Sequence, residues 1–432
     1  MTNLIIQKWQ IESLPIRHLS VSAIRNFLTN EQDFFKKYIR LEFDNSTAPS
    51  LMIWKAVHVA LEYYWREYQE SGVLTTYEEI EKIALSNLAI LKAEGEKMGL
   101  LKLAEKKHTI IPKKIDTTRA FAHLPAEQLE VLTEIEKEEI KAEFEIYEIC
   151  DRLEKEATPE ELQEAKNKFI KWGKTGSYND CIKSVKTAVK NYFDNMPNYT
   201  PLYTEKKETV EFSDMEGNEM PLPLKGVIDL IAEDENGELV IVDHKIVASY
   251  SDPELDNAAF EIQAGAYFFI TQAITGKIPS KMIFDEILKS DAKVVWKEDP
   301  TRKLLQKDLK ELADASGIEY KKNVKNAELI EMLLKAEVLE YTKTRQPYVI
   351  DYKVSPTVID AFLNIYKAVL NRLAIISLYE VWYNFLPNPF DRMTGQESRE
   401  DYKQTMEIGK NWQDASKETK KVDELIPDEL DF

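Results

Sequence analysis

Two stretches decide the fold: Leu224-Lys225-Gly226-Val227-Ile228-Asp229-Leu230-Ile231-Ala232 and Leu239-Val240-Ile241-Val242-Asp243-His244-Lys245-Ile246-Val247. Both are rich in β-branched and aliphatic residues. The segment Glu233-Asp234-Glu235-Asn236-Gly237 between them carries an Asn-Gly turn signal, so the pair reads as a β-hairpin. Alternation at period two puts Asp243 and Lys245 on one face of the second strand. Asp229 reaches that face if the turn is the three-residue Glu235-Asn236-Gly237 with Gly237 left-handed, which sets Asp229 opposite Asp243. A two-residue Asn-Gly turn would set it opposite His244 and aim it away. Two clustered carboxylates favour a hard divalent cation held by oxygen ligands, and a lysine beside them can orient a nucleophile or neutralise developing charge.

Working outward, Tyr203–Phe212 alternates as a strand before the hairpin. After it come a helix from about Asp256 to Thr275 and a strand from Lys281 to Leu288. Pro347–Val354 reads as a further strand, followed by a long helix over Ser355–Tyr383. Upstream, residues 20–40 read as one amphipathic helix with Ser20 or Ser22 as N-cap. A second helix spans Ser50 to Tyr68 and carries His58. Residues 125–171 are rich in Glu and Lys at helical spacing and read as a solvated helical insertion. A basic stretch precedes it, with Lys102, Lys106, Lys107, His108, Lys113 and Lys114. Together these elements predict an α/β protein with a central mixed sheet flanked by helices, plus helical insertions.

The chain has 432 residues, 44% of them apolar, enough for a large core domain with insertions or for two domains. No run approaches a membrane span, and the first residues lack a secretion signal. The two cysteines, Cys150 and Cys181, have no metal-ligand spacing, and a cytoplasmic location is expected. The net charge of −19 means that any path for a polyanion must be a confined stripe, because a local patch sets the field in a groove.

Gly226-Val227-Ile228-Asp229, Ile241-Val242-Asp243-His244-Lys245 and Gln263-Ala264-Gly265-Ala266-Tyr267 together resemble the successive motifs of the PD-(D/E)XK nuclease superfamily. The RecB-like branch, with its CRISPR-associated and phage exonucleases, is the nearest in pattern. Val57-His58-Val59-Ala60-Leu61-Glu62 matches that branch's histidine on an early helix, and Leu19–Ile24 through Phe34–Tyr38 resembles its first helix. The resemblance implies that His58, Asp229 and Asp243 hold Mg2+ or Mn2+ together with the His244 backbone carbonyl. It makes Lys245 the catalytic lysine, working with Asp229 and Asp243. Gln263 and Tyr267, four apart on one helical face, would brace the site or contact DNA, and Glu62 would support His58. Many relatives hold an iron–sulfur cluster through four cysteines. Here Thr29–Asp33 and Pro387–Arg392 contain no cysteine, so no cluster is expected.

On this resemblance residues 1–300 form the nuclease core, with a helical insertion at about 100–190, and residues 345–395 complete it. Residues 302–337 resemble a helix-extended-helix module of the SAP kind. Such modules bind nucleic acid, and this one carries eight basic residues against seven acids, with Lys307, Lys310, Lys321, Lys322 and Lys325 as candidate DNA contacts. The tail, 397–432, is polar and acidic and ends in Phe432, a pattern suited to a protein partner. The expected activity is metal-dependent phosphodiester hydrolysis by an exonuclease acting on DNA ends in phage or bacterial DNA recombination, repair or processing. A structure-selective or nicking endonuclease, or a non-catalytic DNA-binding protein with the same core, stay open as alternatives.

Overall fold

A computed structural model of the chain describes residues 16–39, 41, 48–107, 120–121, 134–172, 176–251, 253–300, 302–321 and 323–378. His108, Lys113, Lys114, Lys322, the late region 387–392 and the C-terminal tail lie outside these residues. In chain order the elements are β1 (Leu19–Ser20), α1 (Val21–Thr29), α2 (Glu31–Phe34) running into a π-helical turn (Phe35–Ile39), α3 (Pro49–Ser71), α4 (Tyr77–Lys106), α5 (Glu134–Glu156), α6 (Pro159–Phe169) and α7 (Tyr178–Asp194). There follow β2 (Thr200–Val210), β3 (Leu224–Glu233), β4 (Leu239–Val247), α8 (Pro253–Thr275), β5 (Lys281–Leu288), β6 (Val294–Trp296), α9 (Gln306–Ala315), α10 (Asn326–Lys335), β7 (Leu339–Tyr341), β8 (Arg345–Asp351) and α11 (Thr357–Leu378).

The chain divides into two compact units, one of Met1–Glu42, Tyr64–Tyr77 and Thr187–Phe432, the other of Phe43–Tyr63 and Glu78–Lys186. The first holds a mixed sheet in the order β1-β3-β4-β5-β8, with β2 also paired to β3. β4 runs parallel to β5 and antiparallel to β3, while β5 and β8 are antiparallel. The sheet is flanked by helices, a mixed α/β arrangement consistent with the core expected from the sequence. Its apolar core joins Leu19, Ile24 and Phe34 to Ile228, Ile241, Phe284, Phe362 and Tyr366. α9, α10 and the β6–β7 ribbon enclose a smaller core of their own around Leu309, Leu312, Leu329 and Leu333.

In the second unit, α4, α5 and α6 bury Leu100, Ala104, Leu153 and Ala165. A Cβ on Gly99 would sit 2.2 Å from the Ala165 carbonyl oxygen, so glycine is what lets α4 and α6 meet at backbone distance. Thr158 starts α6 with a capping box closed by Glu161. No described helix is long and apolar enough to cross a membrane.

One expected element is broken. The helix read over residues 20–40 stops at Thr29, because Asn30 adopts an extended backbone. The Asn30 Oδ1 takes the N–H groups of Gln32 and Asp33 and restarts the chain as α2. An asparagine able to cap a new helix overrides continuous amphipathic spacing. Ser20 is the N-cap of α1, accepting from the Ala23 N–H at 3.1 Å.

Candidate metal and catalytic site

The hairpin turn positions the site. The Asp234 N–H donates to the Glu238 carbonyl at 3.0 Å, leaving Glu235-Asn236-Gly237 as the loop, and Gly237 has φ +73°. Leu230 therefore pairs with Val242, the last pair of the β3–β4 ladder, and the same register continued one step sets Asp229 opposite Asp243.

β3 has two edges, and β2 takes one of them from Leu224 to Glu233. The other is shared, with β1 pairing at Leu224 and Lys225 and β4 at Leu230 to Glu233. Residues 226–229 lie between those two ladders, where backbone polar groups need partners from side chains. Tyr267 Oη donates to the Val227 carbonyl at 2.6 Å, and an Asp229 carboxylate oxygen accepts the His244 N–H at 2.7 Å. A Cβ at Gly226 would fall 2.7 Å from Ile270 Cδ1 and 3.2 Å from Tyr267 Cε1, so a glycine here admits α8 to the gap.

On the β2 side Thr204 faces Leu230 and Lys206 faces Ile228, which puts Glu205 opposite Asp229. Glu205, Asp229 and Asp243 thus occupy one row across three adjacent strands. Carboxylate oxygens of Glu205 and Asp229 lie within 4.8 Å of each other. Glu205 also has φ +45°, a left-handed backbone inside a strand that costs a residue with a side chain about 1–2 kcal/mol. No spacing in Thr204-Glu205-Lys206-Lys207-Glu208 marks this glutamate out. Register against β3 is what identifies it.

Asp243 is held differently. Its side chain is almost fully buried; Oδ1 takes the Gln263 amide at 2.6 Å, and Oδ2 lies 2.6 Å from Lys245 Nζ. Lys245 Nζ also donates to Gln263 Oε1 at 3.3 Å, closing a triangle, and sits 5.9 Å from the centre of the Phe284 ring. An ammonium has three donors; one goes to Gln263, and the contact with Asp243 is an ion pair. Tyr267, one turn after Gln263, has its hydroxyl pKa pushed far up by burial and then by the charges of Asp243 and Asp229. Both carboxylates therefore act on one buried hydroxyl.

His58 lies on α3, in the second unit, buried and with its ring 4.1 Å from that of Trp54. Glu62 follows one turn later, half-buried. Of the module lysines, Lys307 is exposed and pairs loosely with Glu311 at 3.5 Å, Lys310 is half-buried, and Lys321 and Lys325 are exposed.

Residues 120–330 match the family model of the PD-(D/E)XK nuclease superfamily. The match covers the Asp229, Asp243 and Lys245 strands and α8, and ends before β8. No curated protein and no solved structure matches the chain at a significant level.

The donor set suits a divalent metal. Two half-buried carboxylates this close repel each other unless a cation or a shared proton lies between them. Oxygen donors of that kind favour Mg2+ or Mn2+ over soft metals.

Proposed function

We propose that the protein is a metal-dependent nuclease that hydrolyses phosphodiester bonds of DNA. The reading is carried by the three-strand row of Glu205, Asp229 and Asp243, with Lys245 two positions beyond Asp243, inside the segment that matches a nuclease superfamily. Asp229, Asp243, Glu205, His58 and the His244 carbonyl would hold Mg2+ or Mn2+; His58 enters on family resemblance. When bound, such an ion polarises a phosphoryl oxygen and lowers the pKa of a coordinated water.

The protein's own groups supply the remainder. Gln263 fixes Asp243 through one oxygen and Lys245 through its carbonyl, so the lysine cannot swing away from the row. A further N–H of Lys245 would reach the attacking water or a phosphate oxygen, where it would orient the nucleophile and offset charge that grows as the phosphorus–oxygen bond breaks. Tyr267, held by the Val227 carbonyl, keeps α8 in place. Lys307, Lys310, Lys321 and Lys325 contact the DNA backbone outside the site, and the acidic tail serves a protein partner.

We place the activity at DNA ends, as in the exonucleases of the RecB-like branch. End-labelled linear single- and double-stranded DNA should be degraded in Mg2+ or Mn2+ and be stable in chelator. Cleavage that survives chelation refutes the metal mechanism, and cutting of circular single-stranded DNA turns the assignment to an endonuclease.

A further inference from the structure

His244 stands between the two catalytic strand positions but alternates to the other side of β4, where it is 2% exposed. Its Nε2 lies 3.3 Å from Tyr192 Oη, and Tyr192 is itself fully buried on α7. Tyr192 Oη in turn accepts from Trp65 Nε1 at 2.8 Å. On the other side of the imidazole, Nδ1 lies 3.7 Å from Asp229 Oδ2, the oxygen that also takes the His244 backbone N–H. These four residues form one chain inside the sheet unit, from an indole to the proposed metal carboxylate.

The direction of the chain follows from donor chemistry. An indole N–H can only donate, so the Tyr192 oxygen is the acceptor for Trp65. The phenol proton must then go to His244 Nε2. The reverse arrangement, Nε2–H donating to the phenol, would leave the phenol proton buried and without an acceptor among the described residues, which is disfavoured. With Nε2 accepting, the imidazole proton sits on Nδ1, and its N–H dipole faces Asp229.

We propose that Trp65 and Tyr192 are positioning residues for the metal centre: they lock His244 as the Nδ1–H tautomer, which with its backbone N–H holds the Asp229 carboxylate in one orientation. The proposal rests on the nuclease reading for its metal, and for its geometry on two buried hydrogen bonds and the 3.7 Å contact of Nδ1 with Asp229. The Tyr192 ring is also packed by Arg345, whose guanidinium lies 5.5 Å from it and whose Nε pairs with buried Asp285 at 2.6 Å, so Tyr192→Phe keeps the packing and removes one hydroxyl. Partners that orient a ligating carboxylate are worth about 10–100-fold in metal affinity or activity.

The test begins with the metal-free wild-type protein labelled with 15N-histidine, His244 being assigned by loss of its signals in His244→Gln. The expected spectrum has Nε2 unprotonated and Nδ1 protonated. Tyr192→Phe should abolish that fixed tautomer and weaken Mg2+ binding, measured by calorimetry, about 10–100-fold. kcat should fall in parallel, with KM for DNA unchanged. Trp65→Phe, which removes the indole donor that holds the Tyr192 hydroxyl in place, should give a smaller loss in both readouts. An Nε2–H tautomer in the wild type overturns the proposal, as does unchanged Mg2+ affinity in Tyr192→Phe. A wild type that binds no Mg2+ overturns the metal reading itself, a result distinct from either of these.

Discussion

Two buried aspartate–lysine pairs in the sheet unit have nearly the same length, yet one belongs to the candidate site and the other to the scaffold. Asp243 and Lys245 approach to 2.6 Å, Asp214 and Lys367 to 2.7 Å. The difference lies in what surrounds each pair. Asp214 also accepts the N–H groups of Glu216 and Asn218 and the Asn218 amide, so its acceptor positions are filled by a tight turn and by α11. Lys367 is 12% exposed and Lys245 26%. The scaffold pair is closed on all sides, whereas Lys245 keeps a donor and a solvent path. An ion-pair distance by itself therefore says little about role; unused bonding capacity and access say more.

Removing each lysine should have the largest effects. Lys245→Ala should lower DNA cleavage by about 10²–10³-fold while moving the melting temperature little. Full activity in that variant would refute the assigned site. Lys367→Met should do the reverse, leaving cleavage near normal under permissive conditions and lowering stability.

Glu205→Gln keeps shape and removes one negative charge from the row. Calorimetry with Mg2+ should show about tenfold weaker binding or more, with the fold intact by circular dichroism. Unchanged affinity would remove Glu205 from the ligand set and leave its left-handed backbone without a functional reason.

The scaffold pair also makes a prediction in pH. Burial pushes the Asp214 carboxyl up, but Lys367, the Asn218 N–H and amide, and the Glu216 N–H outweigh it and hold the group at about 2, below its ordinary 3.8. A carboxyl depressed in the folded state contributes its full stability above the unfolded pKa and loses it as pH falls through the folded value. Asp214 should therefore contribute about 2 kcal/mol at neutral pH, lost between about pH 4 and pH 2. Asp214→Asn should flatten acid denaturation over that window; an unchanged profile would remove Asp214 from the acid-labile groups.

An effect of similar size is expected at Gly226. The clash a methyl group would meet is with the end of the Ile270 side chain, which can shift, so Gly226→Ala should cost about 1–3 kcal/mol by overpacking. Its activity loss should exceed that of an equally destabilised variant in the α9–α10 core, because Tyr267 and α8 must move with it.

How much of this could be read from residues alone differs from element to element. The hairpin was legible because Asn-Gly between β-branched runs has few conformations open to it, and its three-residue form sets the register of Asp229 against Asp243. The extent of α1 was not legible, because an amphipathic pattern continues through Asn30 while that residue's side chain stops one helix and caps the next. Glu205 was invisible for a different reason. It lies among charged neighbours on β2, and the β2–β3 connection is too long for turn chemistry to set the register. Tyr192 and Trp65 were hidden likewise, being 52 and 127 positions from the residues they bond.

By itself, then, the sequence determined the local grammar: strands that carry Asp229, Asp243 and Lys245, the turn that aligns them, and a helix with Gln263 and Tyr267 on one face. Each follows from backbone sterics and side-chain periodicity over a few residues. Which acids meet, and what holds them, was decided by the tertiary structure. β2 supplies Glu205 at a place where β3 lies between two ladders, and α3 and α7 supply the indole and phenol behind His244. Those contacts join residues far apart in the chain, whose meeting depends on packing the whole core and not on any local preference.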